Sequence, residues 1–391
     1  MSKLIKISEI KYFYVSLLFV FFSTNINIAQ EAATKTEEEK EEKKSPLSFS
    51  GSVDAYFRGN LTSKSSGSSN DIPATSFADL PGFALGMANL ITTIEGEKAG
   101  FVADIVIGPR GTEAVFNSVG SPNIINQLYA YWNATNNLKL TIGNFNTFLG
   151  YEVISPSANF NYSTSYMFSY GPFSHSGLKA DIGLGDDASL MLAVMNPTDF
   201  TDFNPWGGYT YGAQFGFKGV YLNVIYGDQD GKLDDKIAVP GDASSGTTFQ
   251  ADLTAGFDIS DALFLGVNAT YNTTSIGEFH DGNAIINATG DGSGFAGVAA
   301  YFQVATSDAL SLGLRGEYFS EINGGVGALV TDINGDGNII DLTLSANYKI
   351  GDLTFIPELR IDLASEDTFT NRDLAPTKNL ASFLVAAVYT F

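Results

Sequence analysis

The last twelve residues of the chain, Leu380 to Phe391, constrain its fold most strongly. Counted back from the end in twos, the residues of this stretch are all apolar: Phe391, Tyr389, Ala387, Val385 and Phe383. A period of two predicts a β-strand, because successive side chains point to opposite faces of a sheet. A strand this apolar would be a poor edge in water. It suits a closed barrel in lipid, where no edge remains and one face meets hydrocarbon.

The rest of the chain supplies partner strands in a regular rhythm. Alternating segments predict strands at residues 47–59, 83–95, 101–107, 124–134, 138–148, 174–184, 189–196, 209–217, 220–227, 247–258, 263–272, 294–304, 310–320, 338–349 and 353–363. With the last stretch these make sixteen strands, and seven short turns alternate strictly with eight long loops. An up-and-down transmembrane barrel requires this order, with short periplasmic turns, long external loops and an even strand count. The predicted fold class is therefore all-β.

The two faces of the predicted strands differ in polarity. Leu342 and Leu344 lie on an uncharged face and alternate with Asp341, Thr343 and Ser345 on a polar face. An uncharged face suits lipid, where an Arg or Lys at mid-bilayer costs roughly 2–4 kcal/mol. A soluble β-sandwich would show the same alternation, but the size of this regular array and the N-terminal segment weigh against it.

Three features fit the pattern less well or stay ambiguous. The strands at 124–134 and 189–196 have no clean polar face, so their register toward the lumen stays open. Pro357 lies in the middle of a predicted strand and has no N–H to donate, so a bulge or a locally unpaired position is expected there.

Composition excludes several classes of protein. Only 16% of the 391 residues are charged, below the roughly 25% of an average soluble domain. The chain has no Cys, which excludes disulfides, thiolate metal sites and Cys nucleophiles. A net charge of −22 argues against nucleic acid as a partner. The two histidines, His175 and His280, lie in no catalytic spacing motif, so we expect no enzyme.

The N-terminus predicts export. Lys3, Lys6 and Lys11 precede an apolar run at 12–22, and small and polar residues follow, so residues 1–29 are predicted to be a signal peptide. A membrane anchor is the alternative, but the run is too short to span. Residues 30–46 hold mostly Glu and Lys and are predicted to be a periplasmic spacer or a short helix, leaving 47–391 as the barrel.

Several stretches carry a resemblance to a known family. They are Gly100–Asp104, Gly108–Gly111, Asn126–Tyr131, Gly143–Glu152, Tyr162–Tyr166, Tyr170–His175 and Met195–Thr198. With them the chain resembles the β-barrel porin family of OmpL-like outer-membrane proteins, from about Leu47 to Phe391. The resemblance implies an outer-membrane, porin-like barrel in a Gram-negative bacterium, without a known substrate or established functional residues. The terminal aromatic strand also resembles the signal that such barrels present to their assembly machinery.

The third long loop, Leu149 to Phe173, is the first candidate for function. Loops this long without structure of their own are usually functional. It carries five aromatic residues: Phe160, Tyr162, Tyr166, Phe168 and Tyr170. Because it follows the fifth strand, where many sixteen-stranded porins fold a loop inward, we hypothesise that it forms the pore constriction. A surface lid or interface packing is the alternative.

Charged residues on the predicted lumen face are the second candidate. They are Arg315, Glu317, Asp341, Lys349, Glu358, Arg360 and Asp362. Rings of fixed charge set the ion preference of a channel. Alternatively, these side chains pair with one another across strands. The acidic excess of the chain suggests a mild cation preference.

A calcium site is predicted in the loop before the fourteenth strand. Asp332, Asn334, Asp336 and Asn338 follow the start of a calcium-loop pattern. The position of the usual bidentate Glu holds Thr343, and Asp-rich and Gly-rich external loops form turns anyway. Apart from this Ca²⁺, no cofactor is expected.

Together these features predict an outer-membrane porin that lets ions and small hydrophilic solutes diffuse passively through a water-filled barrel. A non-conducting barrel that acts as an adhesin or a structural scaffold is the alternative. The expected partners are the lipid bilayer, lipopolysaccharide, the assembly machinery and small hydrophilic solutes, and a homotrimer is left open.

Overall fold

The structure is a computed structural model, and it describes residues 47–118, 120–204, 207–227, 247–275, 279–280, 283–284 and 292–391. The predicted signal peptide and charged spacer lie outside the described residues. Sixteen strands form one closed antiparallel barrel. They are β1 (Leu47–Asn60), β2 (Gly82–Glu95), β3 (Ala99–Ile107), β4 (Ile125–Thr135), β5 (Leu138–Asn146), β6 (Ser174–Gly183), β7 (Ala188–Met195), β8 (Thr210–Phe217), β9 (Val220–Gly227), β10 (Thr248–Asp258), β11 (Leu263–Thr274), β12 (Ser293–Ala305), β13 (Leu310–Ile322), β14 (Gly337–Ile350), β15 (Leu353–Ala364) and β16 (Asn379–Thr390).

Each strand pairs with its neighbours in sequence, and the last strand closes the ring against the first. β16 pairs antiparallel with β1, with Tyr389 opposite Val53 and Phe383 opposite Gly59. The closed ring leaves no unpaired sheet edge. The predicted strand number, order and C-terminal closing strand are therefore confirmed.

Short turns join the strands at one end of the barrel, which we call the short-turn end. The turn Lys218-Gly219 between β8 and β9 has positive φ at both residues, 49° and 83°. This conformation matches the twist of the two flanking strands and favours glycine at the second position. Long loops cover the opposite end, and we name four of them: L1 (61–81), L3 (147–173), L7 (323–336) and L8 (365–378).

The strand faces alternate as a lipid-embedded barrel requires. Leu342 and Leu344 are exposed on the outside, whereas Asp341, Thr343 and Ser345 are buried inside. β4 and β7, whose lumen-facing register the sequence left undecided, also have a definite inner face. Gln127 and Tyr129 of β4 face inward, and so do Met191, Ala193 and Met195 of β7.

Pro357 leaves a local gap in the sheet and no bulge. It pairs with Val385 of β16. On its other side, the β14–β15 register resumes from Ser345–Glu358 to Tyr348–Phe355 without a shift. The expected locally unpaired position therefore lies on the β14 side, where proline cannot donate to the ladder.

Helical structure is limited to short pieces. Two α-helices occur in the described residues, α1 (Pro109–Ala114) between β3 and β4, and α2 (Tyr166–Tyr170) within L3. Among the residues that the structure describes, no helix is long and apolar enough to cross a membrane.

Candidate functional site

L3 lies inside the barrel, against its inner wall. Tyr162 and Tyr166 are fully buried, and Met167 and Phe168 are nearly so, while Phe160 and Tyr170 are half-buried. Backbone and side-chain groups of L3 form hydrogen bonds with inward-facing residues of β13, β14 and β15. The five aromatic residues predicted for the constriction loop therefore lie in or beside the lumen.

Four charged side chains of β13 and β15 hold the backbone of L3, and we call them the L3 tether: Arg315, Glu317, Glu358 and Arg360. Glu317 accepts hydrogen bonds from the backbone N–H groups of Tyr166 and Met167, both at 2.8 Å. Glu358 accepts from Tyr162 at 2.6 Å and from Ser163 at 3.1 Å. Each carboxylate thus satisfies two successive N–H groups that would otherwise be buried without an acceptor.

The two arginines of the L3 tether bind the carbonyl groups of the same segment. Arg315 donates to the carbonyl oxygens of Ser163 and Thr164 at 2.6 Å and 3.2 Å. Arg360 donates to the carbonyl oxygen of Thr164 at 2.8 Å. Donors and acceptors of the wall therefore match both kinds of backbone group in L3, which fixes the segment in one position.

Buried ion pairs connect the two arginines with acidic residues. Arg315 lies 2.7 Å from Glu152 and 2.7 Å from Asp341. Arg360 lies 2.8 Å from Asp362 and 3.7 Å from Asp341. Such pairs in a dry environment are hard to break, since removing one partner leaves an uncompensated buried charge.

The predicted pore-lining residues fall into two groups. Six are buried at the contact between L3 and the wall: Arg315, Glu317, Asp341, Glu358, Arg360 and Asp362. Lys349 alone is exposed, near the short-turn end. All seven lie on the inner face of the barrel, and their effect on ion selectivity stays a prediction.

Asp54, Arg110 and Glu152 also belong to this contact, although none of them is among the predicted site residues. Glu152 is the one charged residue of L3, and it accepts a hydrogen bond from the Ser165 N–H at 2.7 Å. An isolated charge in a long neutral loop could have pointed to it. Arg110 and Glu152 also lie in stretches that carry the family resemblance, but only the fold brings them together.

Asp54 and Arg110 each bind Tyr162 through a hydrogen bond. The Tyr162 hydroxyl donates to Asp54 of β1, and Arg110 Nη1 donates to the Tyr162 carbonyl oxygen at 3.3 Å. Burial, followed by the charge of Asp54, raises the pKa of the Tyr162 phenol, so the hydroxyl stays a neutral donor. Arg110 Nε also donates to the Ile154 carbonyl oxygen at 2.8 Å, which ties α1 to L3.

Aromatic rings pack between the long loops at the outer mouth. Phe77 of L1 contacts Phe168 and Phe173 of L3, with ring centroids 5.8 Å and 5.5 Å away. Tyr166 of L3 packs on Phe319 of β13 at 5.6 Å. The Phe77 contacts join L1 and L3 into an apolar layer at the outer mouth, and the Tyr166 contact joins L3 to the wall.

Two cavities lie below L3, toward the short-turn end. The first, which we call the aromatic cavity, has a volume of about 420 Å³ and is bounded by residues of L3, of β9–β16 and of the adjoining short turns. The second cavity has a volume of about 490 Å³ and is bounded mainly by β1–β5. Ser157 of L3 and Thr390 of β16 border both cavities, so L3 divides the space between them.

Three of the predicted calcium residues, Asp332, Asn334 and Asp336, form a tight turn in L7, whereas Asn338 lies in β14. One Asp332 carboxylate oxygen accepts from the N–H groups of Asn334 and Asp336 at 2.8 Å and 3.0 Å. Asp336 accepts from the Asn323 N–H at 3.1 Å. The hydrogen bonds from the Asp336 and Asn334 N–H groups lower the pKa of Asp332. A calcium ion would compete with them, so calcium binding stays a prediction that melting curves with Ca²⁺ or a chelator can test.

A closed sixteen-stranded barrel with an apolar outer face and a loop attached inside the lumen defines the class of porin-like outer-membrane barrels. Comparison with known families makes the assignment specific. The family model described as "Putative beta-barrel porin-2, OmpL-like" matches residues 46–391, and the chain belongs to this family. The protein is accordingly an outer-membrane protein of a Gram-negative bacterium, as predicted.

Solved structures agree on the fold. The outer membrane channel DcaP of Acinetobacter baumannii is 14% identical, with a TM-score of 0.54, and the match covers 88% of this chain and 97% of that one. An anion-selective porin from Comamonas acidovorans is 10% identical, with a TM-score of 0.54, over 88% and 99%. A loop-deletion mutant of OmpT from Vibrio cholerae is 12% identical, with a TM-score of 0.50, over 88% and 99%. No curated protein matches the chain.

Proposed function

We propose that the protein is a porin through which ions and small hydrophilic solutes diffuse passively across the outer membrane. The observation that carries the proposal is the attachment of L3 to one part of the inner wall by Arg315, Glu317, Glu358 and Arg360. A loop held inside the lumen reduces the cross-section that water and solutes can use. L3 is therefore proposed to be the constriction that sets conductance.

Deletion of residues 155–165 tests the role of L3. The shortened loop removes the segment between the two cavities, so single-channel conductance in a planar bilayer should rise. Deletion of residues 371–375 in the exposed turn of L8 is the matched control and should leave conductance near the wild-type value. Unchanged conductance after the L3 deletion, in protein that circular dichroism shows to be folded, would contradict the proposal.

A non-conducting barrel that acts as an adhesin or scaffold is the second candidate. The apolar layer at the outer mouth, where Phe77 contacts Phe168 and Phe173, favours it because packed rings exclude water. Conductance separates the two functions. Absence of channel steps from folded protein, together with cell binding by the external loops, would favour the scaffold.

The remaining partners are proposals as well. The bilayer surrounds the barrel, and we propose lipopolysaccharide as the lipid of the outer leaflet. We also propose that β16 is recognised by the outer-membrane assembly machinery, because this strand alternates apolar residues and closes the barrel against β1. A homotrimer is proposed by analogy with other porins, and mass measurement of the detergent-solubilised protein tests it.

A further inference from the structure

The aromatic cavity combines rings from the wall and from L3. Tyr221 of β9, Phe264 of β11 and Tyr301 of β12 line it from the wall, and Tyr151 and Phe160 line it from the loop. Tyr151 stacks on Tyr301 with ring centroids 4.2 Å apart. Aromatic surface of this kind favours a ligand with an apolar face.

Two residues that line the same cavity each carry a buried polar atom without a partner in the part of the chain that the structure describes. The Thr254 hydroxyl is buried and has no hydrogen-bond partner among the described residues, and the same holds for Asn347 Oδ1. Both residues line the aromatic cavity. The amide nitrogen of Asn347 donates to the Phe160 carbonyl oxygen at 3.2 Å, so one end of this side chain binds L3 while its amide oxygen is left unsatisfied by the described residues. Buried polar groups in this state cost free energy unless water or a ligand binds them.

The charged side chains that line the aromatic cavity are either paired or far from its inner part. The Glu152 carboxylate, at its upper boundary, is bound by Arg315 at 2.7 Å and by the Ser165 N–H at 2.7 Å. The other charged lining groups, Asp258, Asp261 and Lys349, are exposed toward the short-turn end. The inner part of the cavity therefore offers rings, hydroxyls and amides, which suit an uncharged ligand rich in hydroxyl groups.

We propose that the aromatic cavity is a binding site for short neutral oligosaccharides. A sugar ring places an apolar face on an aromatic side chain, while its hydroxyls exchange hydrogen bonds with groups such as Thr254 and Asn347. The volume of about 420 Å³ falls within the range of small-molecule sites. If the protein is a porin, as proposed above, short neutral oligosaccharides are the class of solute that it carries, and this part of the inference rests on the proposed function.

Calorimetric titration with maltotriose tests the site directly. The protein should be purified in dodecyldimethylamine oxide, because the head group of a maltoside detergent would compete for the cavity. Wild-type protein should bind maltotriose. Thr254→Val keeps the side-chain shape, removes only the hydroxyl and should weaken binding roughly three- to tenfold. Phe264→Ala should weaken binding by a similar factor, because it removes a ring of the wall.

The second cavity provides a matched control. Tyr131→Ala removes an inward ring there, on the other side of L3, and should leave maltotriose affinity unchanged. Citrate should not bind, because three of the four charged residues that line the cavity are acidic. Absence of maltotriose binding by folded wild-type protein would overturn the inference. Equal losses in Tyr131→Ala and Thr254→Val would also overturn it.

Conductance separates this inference from the proposed function. Channel steps without maltotriose binding would leave the porin function standing and remove the saccharide site. Maltotriose binding without channel steps would support the saccharide site and contradict the porin function. If both proposals hold, maltotriose should block the ion current reversibly in the wild type, and Thr254→Val should require a several-fold higher concentration for the same block.

Discussion

At the scale of single residues, the interior of this barrel depends on charged side chains that bind backbone. Glu317 and Glu358 each accept two hydrogen bonds from L3, and neither carboxylate is exposed. A hydrogen bond to a charged group contributes about 1.5–3 kcal/mol, roughly twice a neutral one. The position of L3 therefore depends strongly on a few wall residues.

Glu317→Gln should loosen L3. The amide has one acceptor oxygen where the carboxylate has two, so the Tyr166 or the Met167 N–H loses its partner. The chain has no cysteine, and the Ser163 hydroxyl has no hydrogen-bond partner among the described residues, so Ser163→Cys gives a clean reporter. In the Glu317→Gln background, maleimide should label this thiol about tenfold faster, as loss of one charge-assisted bond predicts.

The matched control for this labelling combines Ser163→Cys with Glu366→Gln. Glu366 is partly exposed on L8 and lies 3.9 Å from Lys378, and ion pairs near the surface contribute little. Its labelling rate should equal that of Ser163→Cys alone. Equal rates in the Glu317 and Glu366 variants would show that the L3 tether does not hold the loop.

At the scale of elements, three neighbouring strands each make room for L3 with an inward-facing glycine. A Cβ added to Gly313 of β13 would lie 2.2 Å from Phe160 Cε1. A Cβ at Gly297 of β12 would lie 2.6 Å from Met167 Sδ, and one at Gly266 of β11 would lie 2.6 Å from the Tyr151 hydroxyl. The wall therefore fits L3 by its shape, through these glycines, as well as by its charged hydrogen-bonding groups.

Gly313→Leu should displace Phe160 and destabilise the barrel. Overpacking of a filled interior typically costs about 1–3 kcal/mol, so the free energy of unfolding in urea should fall by that amount. Gly316→Leu is the control on the same strand, because a Cβ there would meet only Leu342 Cδ2 on the outer face, at 3.6 Å. A loss of the same size in both variants would contradict a specific fit between L3 and the wall.

The sequence predicts the strands well and the interior of the barrel poorly, for a physical reason. The bounds of all sixteen strands agree with the structure to within two residues, because alternation and turn residues are local signals. Alternation also assigns Arg315, Glu358 and Asp362 to the inner face. Alternation cannot predict which segment fills the lumen, because that depends on contacts between distant residues. The hydrogen bond between Tyr162 and Glu358, for example, joins residues 196 positions apart in the chain. The inward-facing glycines are visible in the sequence, but periodicity alone does not show that they leave room for a loop.

At the scale of the whole molecule, the charge that solutes meet differs from the charge that the chain carries. The net charge is −22, but six of the seven predicted pore-lining residues are buried beneath L3, where ion pairs and backbone bonds occupy them. The inner wall near the short-turn end exposes Lys349. Selectivity should therefore respond more to this exposed lysine than to the buried charges.

Lys349→Glu should shift the channel toward cations. The exchange changes the local charge by two units beside the aromatic cavity, so the reversal potential in a KCl gradient should move toward the potassium equilibrium potential. The shift should shrink at high salt, since the screening length falls from about 10 Å at 0.1 M to about 3 Å at 1 M. Lys378→Glu, an equal charge change on the outer loop L8, should shift the potential less. If both variants keep the wild-type reversal potential at low salt, ions are selected elsewhere in the barrel, and the contact beneath L3 becomes the region to test.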